Sequence, residues 1–180
     1  MEASAVCGYM EPWQRLDDAD GASARGLLHS CCGSERWVDR MMARRPFGDR
    51  QTLLTAARDE WFALGPADWR EAFGHHPKIG DRDAAASKFA ATRHLSKGEQ
   101  ERVQEAAVDL LARLAEANRV YEERFGYIFI VCASGRTAAE MLALLNARLH
   151  NDPETELRIA AAEQAAITTL RLERMSGGEA

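Results

Sequence analysis

Only one stretch of this chain, Tyr127-Ile128-Phe129-Ile130-Val131-Cys132, has the β-branched and aromatic make-up of a strand. No second run offers to pair with it. A lone strand would leave half its backbone polar groups without partners, so the segment is expected to be extended or helix-entering, and buried. The rest must then be helical. The expected fold is all-α, a compact single-domain bundle of about seven to nine helices with a short extended segment near 127–133. With 180 residues the chain supports one core rather than two.

Helix punctuation along the sequence agrees. Ser34 is an N-cap residue ahead of ERWVDRMMARR, which Pro46 stops, and Asp49 starts another helix. In that helix Leu53, Leu54, Ala57, Trp61 and Leu64 recur at three- and four-residue steps and should form one buried face. Gly65-Pro66 breaks the pattern, a short helix follows through Trp69 to Phe73, and residues 74–81 (GHHPKIGD) must turn. Ser96-Lys97-Gly98-Glu99 has the form of a capping box ahead of the longest helix, which runs through Val103, Ala107, Leu110, Leu111, Leu114, Ala117 and Tyr121 to about Gly126. Thr137 and Glu140 form a second box before Met141, Leu142, Leu145 and Leu149, with Asn151 able to close that helix. Asp152-Pro153-Glu154 restarts the chain with a cap, a proline at the first helical position and acids in the first turn. Residues 1–20 lack a sustained period and are expected to be a loosely held extension; 21–176 form the helical domain and 177–180 a frayed tail.

Composition removes several functions. The net charge of −5 has interspersed signs and offers no basic stripe for a nucleic-acid backbone. The longest apolar run, Tyr127 to Ala133, is far short of the roughly 20 residues that span a membrane, and no export signal or SKL-type ending is seen. Cys7, Cys31, Cys32 and Cys132 lack framework or CxxC spacing and read as reduced thiols, so the expected location is cytoplasmic. No glycine-rich nucleotide loop or Schiff-base lysine setting is present. His75, His76, Asp81, Asp83 and His94 have no spacing that puts two metal ligands on one face, and Cys132 in its apolar run reads as an inert core thiol rather than a nucleophile.

Two motifs remain. His76 stands beside rigid Pro77 in a glycine-bounded turn, where an imidazole could exchange protons near neutral pH or simply face solvent. Ser96-Lys97-Gly98-Glu99-Gln100 is either a capping box or a polar cluster at a helix N-terminus suited to an anion. Arg158, Arg171 and Arg174 lie on the last helix, Arg171 near its apolar face.

Taken together, CCGSERWVDRMMARRPF (31–47), AFGHHPKIGDR (72–82), SKGEQ (96–100), NRVYEERFGYIFIVCASG (118–135), NDPETEL (151–157) and ITTLRLERM (167–175) resemble the 2-oxo-4-hydroxy-4-carboxy-5-ureidoimidazoline (OHCU) decarboxylase family. The resemblance implies an all-helical, commonly homodimeric enzyme without metal or organic cofactor, converting OHCU to S-allantoin in urate breakdown. It implies that His76 is the catalytic histidine, with Glu99 beside it, and that Pro77 shapes the pocket wall. By the same resemblance Ser96, Glu99 and Gln100 hold the ring and ureido groups, backbone groups of Ile130, Val131, Cys132 and Ala133 contact the substrate, and Arg171 is a substrate-facing cation. The alternative is a non-catalytic helical interaction module in which both motifs are a turn and a cap. A metal-dependent ureide hydrolase is a third reading.

Overall fold

The computed structural model describes residues 10–77 and 97–175, with side chains from 107 onward in the second stretch. Among the described residues there are eight helices: α1 (Pro12–Asp18), α2 (Gly21–Cys31), α3 (Glu35–Ala43), α4 (Arg50–Phe62), α5 (Pro66–Gly74), α6 (Lys97–Phe125), α7 (Ala138–Arg148) and α8 (Pro153–Arg174). No strand occurs among them, and 127–133 runs as irregular chain, so the all-α expectation holds. None of these helices is long and apolar enough to cross a membrane. The chain divides into two units, one of residues up to 72 together with those from 161, the other of residues 73–160.

In the first unit the caps expected from sequence set where helices begin. The Ser34 hydroxyl accepts from the Trp37 N–H, and the Asp49 carboxylate accepts from the Thr52 N–H at 2.8 Å. Asp20 does the same for α2, taking the N–H groups of Ala22 and Ser23 at 2.9 Å each. Leu28, Trp37, Met41, Leu53 and Trp61 fill the core. A buried indole needs an acceptor for its N–H, and here Trp37 donates to the Ala57 carbonyl at 3.0 Å and Trp61 to that of Ala161 at 2.8 Å, while half-buried Trp69 donates to that of Trp61 at 3.1 Å, each bond joining two elements. Cys31 and Cys32 are buried thiols, and loss of hydration pushes them up to about 11 and about 12, so both stay protonated at neutral pH.

The stretch 1–20 departs from a loose extension in its described part. Residues 12–18 form α1, with Pro12 in its first turn and the Gln14 side chain accepting from the Glu11 N–H. Leu16 is fully buried. Arg15 donates to the Met175 carbonyl at 2.8 Å, and Asp17 accepts from the N–H groups of Phe47 and Gly48 at 2.9 Å. Gly48 has φ of 77°, a conformation that a side chain disfavours. Two turns carrying one buried leucine are too short to show a period, and so the spacing did not announce them.

In the second unit α6 ends at Phe125, where Gly126 takes φ of 79° and its N–H returns to the Glu122 carbonyl at 2.8 Å. The Thr137/Glu140 box that opens α7 is present in both directions. Asp152 caps α8 by accepting from Glu154 and Thr155 N–H groups. Leu142 and Leu145 are buried, while Met141 and Leu149 are half-buried. Asn151 does not close α7 with its side chain; that amide donates to Glu156 instead.

Trp61→Phe keeps a buried ring but removes the indole donor that the Ala161 carbonyl accepts in addition to its own helical N–H. Unfolding in urea should then lose about 0.5–1.5 kcal/mol for the bond, with the slope unchanged. A parental midpoint would show that this bond does not hold α4 to α8.

Candidate active site

His76 owes its position to the end of α5. The helix stops at Gly74, and the His76 N–H turns back to the Phe73 carbonyl at 3.2 Å. His76 is half-buried, whereas His75 and Pro77 are exposed. Phe73 is fully buried, and its ring lies 5.1 Å from that of Tyr127, at the start of the extended segment. The same residue therefore anchors the histidine turn through its carbonyl and the extended segment through its ring.

The extended segment is held from its other side by a buried polar cluster. Tyr121 packs its ring on Phe125, Tyr127 and Phe129, with centroids at 4.6, 5.9 and 5.3 Å. Its hydroxyl donates to Glu156, and burial pushes that hydroxyl far above the usual phenol range. Glu156 is fully buried, and it accepts from Arg148 Nε at 2.8 Å and Nη2 at 2.5 Å. Arg148 Nη1 reaches the Ile130 carbonyl at 2.9 Å, and its guanidinium lies 4.5 Å from the centre of the Phe129 ring. Asn151 supplies the second carboxylate oxygen with a donor at 2.7 Å. Buried Asn118 accepts from the Phe129 N–H at 2.9 Å. The backbone at 129 and 130 is thus pinned by two side chains from two helices, which replaces the strand partner that the sequence lacks.

The expected site residues fall into three groups. His76, Pro77 and the 130–133 backbone lie in the second unit, where the Phe73–Tyr127 contact links the histidine turn to the extended segment. Ile130 and Val131 are buried, Ala133 is exposed, and Cys132 is half-buried rather than in the core; its carbonyl accepts from Arg136. Glu99 and Gln100 sit in the first turn of α6, but their side chains lie outside the described residues, as does all of Ser96. Asp81, Asp83 and His94 also lie outside them. Arg171 belongs to the first unit, half-buried, donating to the Cys31 carbonyl at 3.1 Å. Arg158 is exposed and pairs with Glu154.

Sequence reasoning missed Phe73, Asn118, Tyr121, Arg148 and Glu156. Glu156 looked like one more acid favouring a helix N-terminus, a role that exposed Glu154 does fill. A usable signal was present in the same lines: Arg148 and Glu156 flank a tight helix break, and such residues at facing helix ends can meet.

The comparisons bear on what this arrangement serves. The family model described as OHCU decarboxylase matches residues 17–173. The "Uric acid degradation bifunctional protein TTL" of Arabidopsis thaliana is 39% identical over 83% of this chain, which spans about half, 46%, of that relative's length. A "2-oxo-4-hydroxy-4-carboxy-5-ureidoimidazoline decarboxylase" of Amia calva is 31% identical over 72% of this chain and 73% of its own. The crystal structure of an OHCU decarboxylase in the presence of (S)-allantoin superposes with a TM-score of 0.66 at 41% identity, covering 81% of this chain and 94% of that one. With the match running through α5, the extended segment and the buried pair alike, the chain belongs to the OHCU decarboxylase family.

Proposed function

We propose that this chain decarboxylates OHCU to S-allantoin, with His76 as the acid/base group. The observation that carries the reading is the turn after α5, where the backbone of half-buried His76 is bonded to Phe73, whose ring packs on the extended segment, all within the family match. An imidazole carried by such a turn can exchange a proton with a bound ligand. A solvated loop histidine would need neither anchor.

The chemistry asks little of the protein. In OHCU the carboxylate-bearing carbon is bonded to the carbon of a ring C=N. When the bond to the carboxylate breaks, its electron pair becomes a C=C bond between those two ring carbons, and the former imine pair moves onto nitrogen, which takes up a proton. The ring hydroxyl then gives up its proton as that oxygen becomes a carbonyl, and the ureido-bearing carbon takes one up. One proton is consumed and CO2 leaves. The enzyme must orient the ring, stabilise charge moving into it and deliver the proton to one face. In this reading His76 exchanges the hydroxyl proton, Glu99 assists it, and Ser96 and Gln100 hold the ring and ureido arm. Pro77 walls the pocket, the 130–133 backbone contacts the ring, and Arg171 meets the carboxylate. The resemblance adds a homodimer working without metal or organic cofactor, and the cysteine usage adds a cytoplasmic location.

His76→Asn should lower turnover about 100-fold or more, with an unchanged far-UV spectrum. Circular dichroism of allantoin formed from freshly generated OHCU reads this directly, and near-parental rates would remove the role. Arg171→Gln should act differently, raising KM at least several-fold while kcat changes less, as expected when a group that mainly binds substrate is lost. Unaltered KM would take Arg171 out of the site.

A further inference from the structure

A ring in contact with the 130–133 backbone would meet a donor of fixed direction there, because the second unit contains a device that fixes one. Across a trans peptide, the carbonyl of one residue and the N–H of the next point in opposite directions. Among the described residues the one cis bond is Arg45–Pro46, so the peptide joining Ile130 to Val131 is trans. Arg148 Nη1 grips its carbonyl end at 2.9 Å. The Val131 N–H must therefore point away from the guanidinium.

Arg148 cannot swing to release it. Its Nε and Nη2 are both engaged by Glu156, and Glu156 is itself held by Tyr121 and Asn151. The guanidinium lies over the Phe129 ring, and Asn118 holds the preceding backbone through the Phe129 N–H. Arginine's planar fork allows this division of labour: two donors go to the carboxylate and a third to a carbonyl in a different direction. A lysine could serve one of these acceptors but not hold both with the same geometry.

We propose that Arg148, braced by Glu156, is a positioning residue for the decarboxylation: it locks the 130–131 peptide so that the Val131 N–H donates to the ring atom on which negative charge grows. The inference rests on the reading above, in which the 130–133 backbone meets the substrate. Arg148 itself touches no reacting atom. A donor aimed in advance at developing charge assists the transition state more than the bound substrate, so its loss lowers kcat more than it raises KM.

Arg148→Lys, confirmed folded at the assay temperature by far-UV circular dichroism, should lose about tenfold to a hundredfold in kcat, with KM within about threefold of the parent. In parallel, the 15N-labelled parent protein is titrated with (S)-allantoin. The Val131 amide resonance should move, and in Arg148→Lys that shift should shrink while other ligand-induced shifts persist. Parental kcat in Arg148→Lys, or a rise in KM as large as the fall in kcat, overturns the inference. Should Arg148→Lys fail to fold, the parent titration decides: a Val131 amide that stays still while other amides respond overturns it. The His76→Asn assay separates the two levels. Loss of turnover there with a normal Arg148→Lys enzyme sinks only the positioning role, whereas a parent protein that forms no S-allantoin from OHCU above the spontaneous rate, or no amide responding to (S)-allantoin, sinks both.

Discussion

The buried pair of Arg148 and Glu156 is the constraint on which the second unit depends. Taking two charges out of water is costly, and a buried pair survives only when its remaining donors and acceptors are filled. Here they are. Glu156 receives Tyr121 and Arg148 on one oxygen and Asn151 on the other, while the third nitrogen of the Arg148 guanidinium donates to the Ile130 carbonyl. The end of α6, the end of α7, the start of α8 and the extended segment thereby converge on one carboxylate. Removal of either charge would leave the other stranded, at a cost of about 3–5 kcal/mol, a large part of the roughly 5–15 kcal/mol by which a domain is stable.

Aromatic packing carries that rigidity to the histidine. Tyr121, Phe125, Tyr127 and Phe129 stack in tilted and edge-on contacts, and Phe73 joins them from the end of α5. Such contacts favour defined ring orientations. The backbone of His76 is thus bonded to a residue whose ring packs on Tyr127, itself in contact with Tyr121 and Phe125. For a reaction whose substrate carries its own electron sink, fixed placement is the main contribution that a protein can make.

Local sequence signals were enough for the helices because helix limits are local events. Ser34, Asp49, Thr137 and Asp152 each bond to an N–H two or three residues ahead, and Gly126 supplies the positive φ that ends α6. The histidine turn was legible for the same reason, since Gly74 and Pro77 bracket it. What escaped was either too short for a period, as in α1, or distant in sequence. Tyr121 meets Glu156 across 35 residues, Asn118 meets the Phe129 backbone across 11, and Phe73 meets Tyr127 across a gap no periodicity bridges. A charged residue that pairs in the core has the same local appearance as one facing water, so Glu156 passed as an ordinary first-turn acid. The missing strand partner did point to an irregular solution for 127–133, though not to the side chains that provide it.

Between Arg148 and the start of α8 lie only residues 149–152, and the two halves of the ion pair stand on either side of that bend. One residue more or fewer would rotate Glu156 by about 100° around its helix and shift it about 1.5 Å along the axis, taking the carboxylate out of reach. This bend therefore fixes its own length, and a tag, a fused module or new chain ends placed there would unlatch the segment beside the histidine.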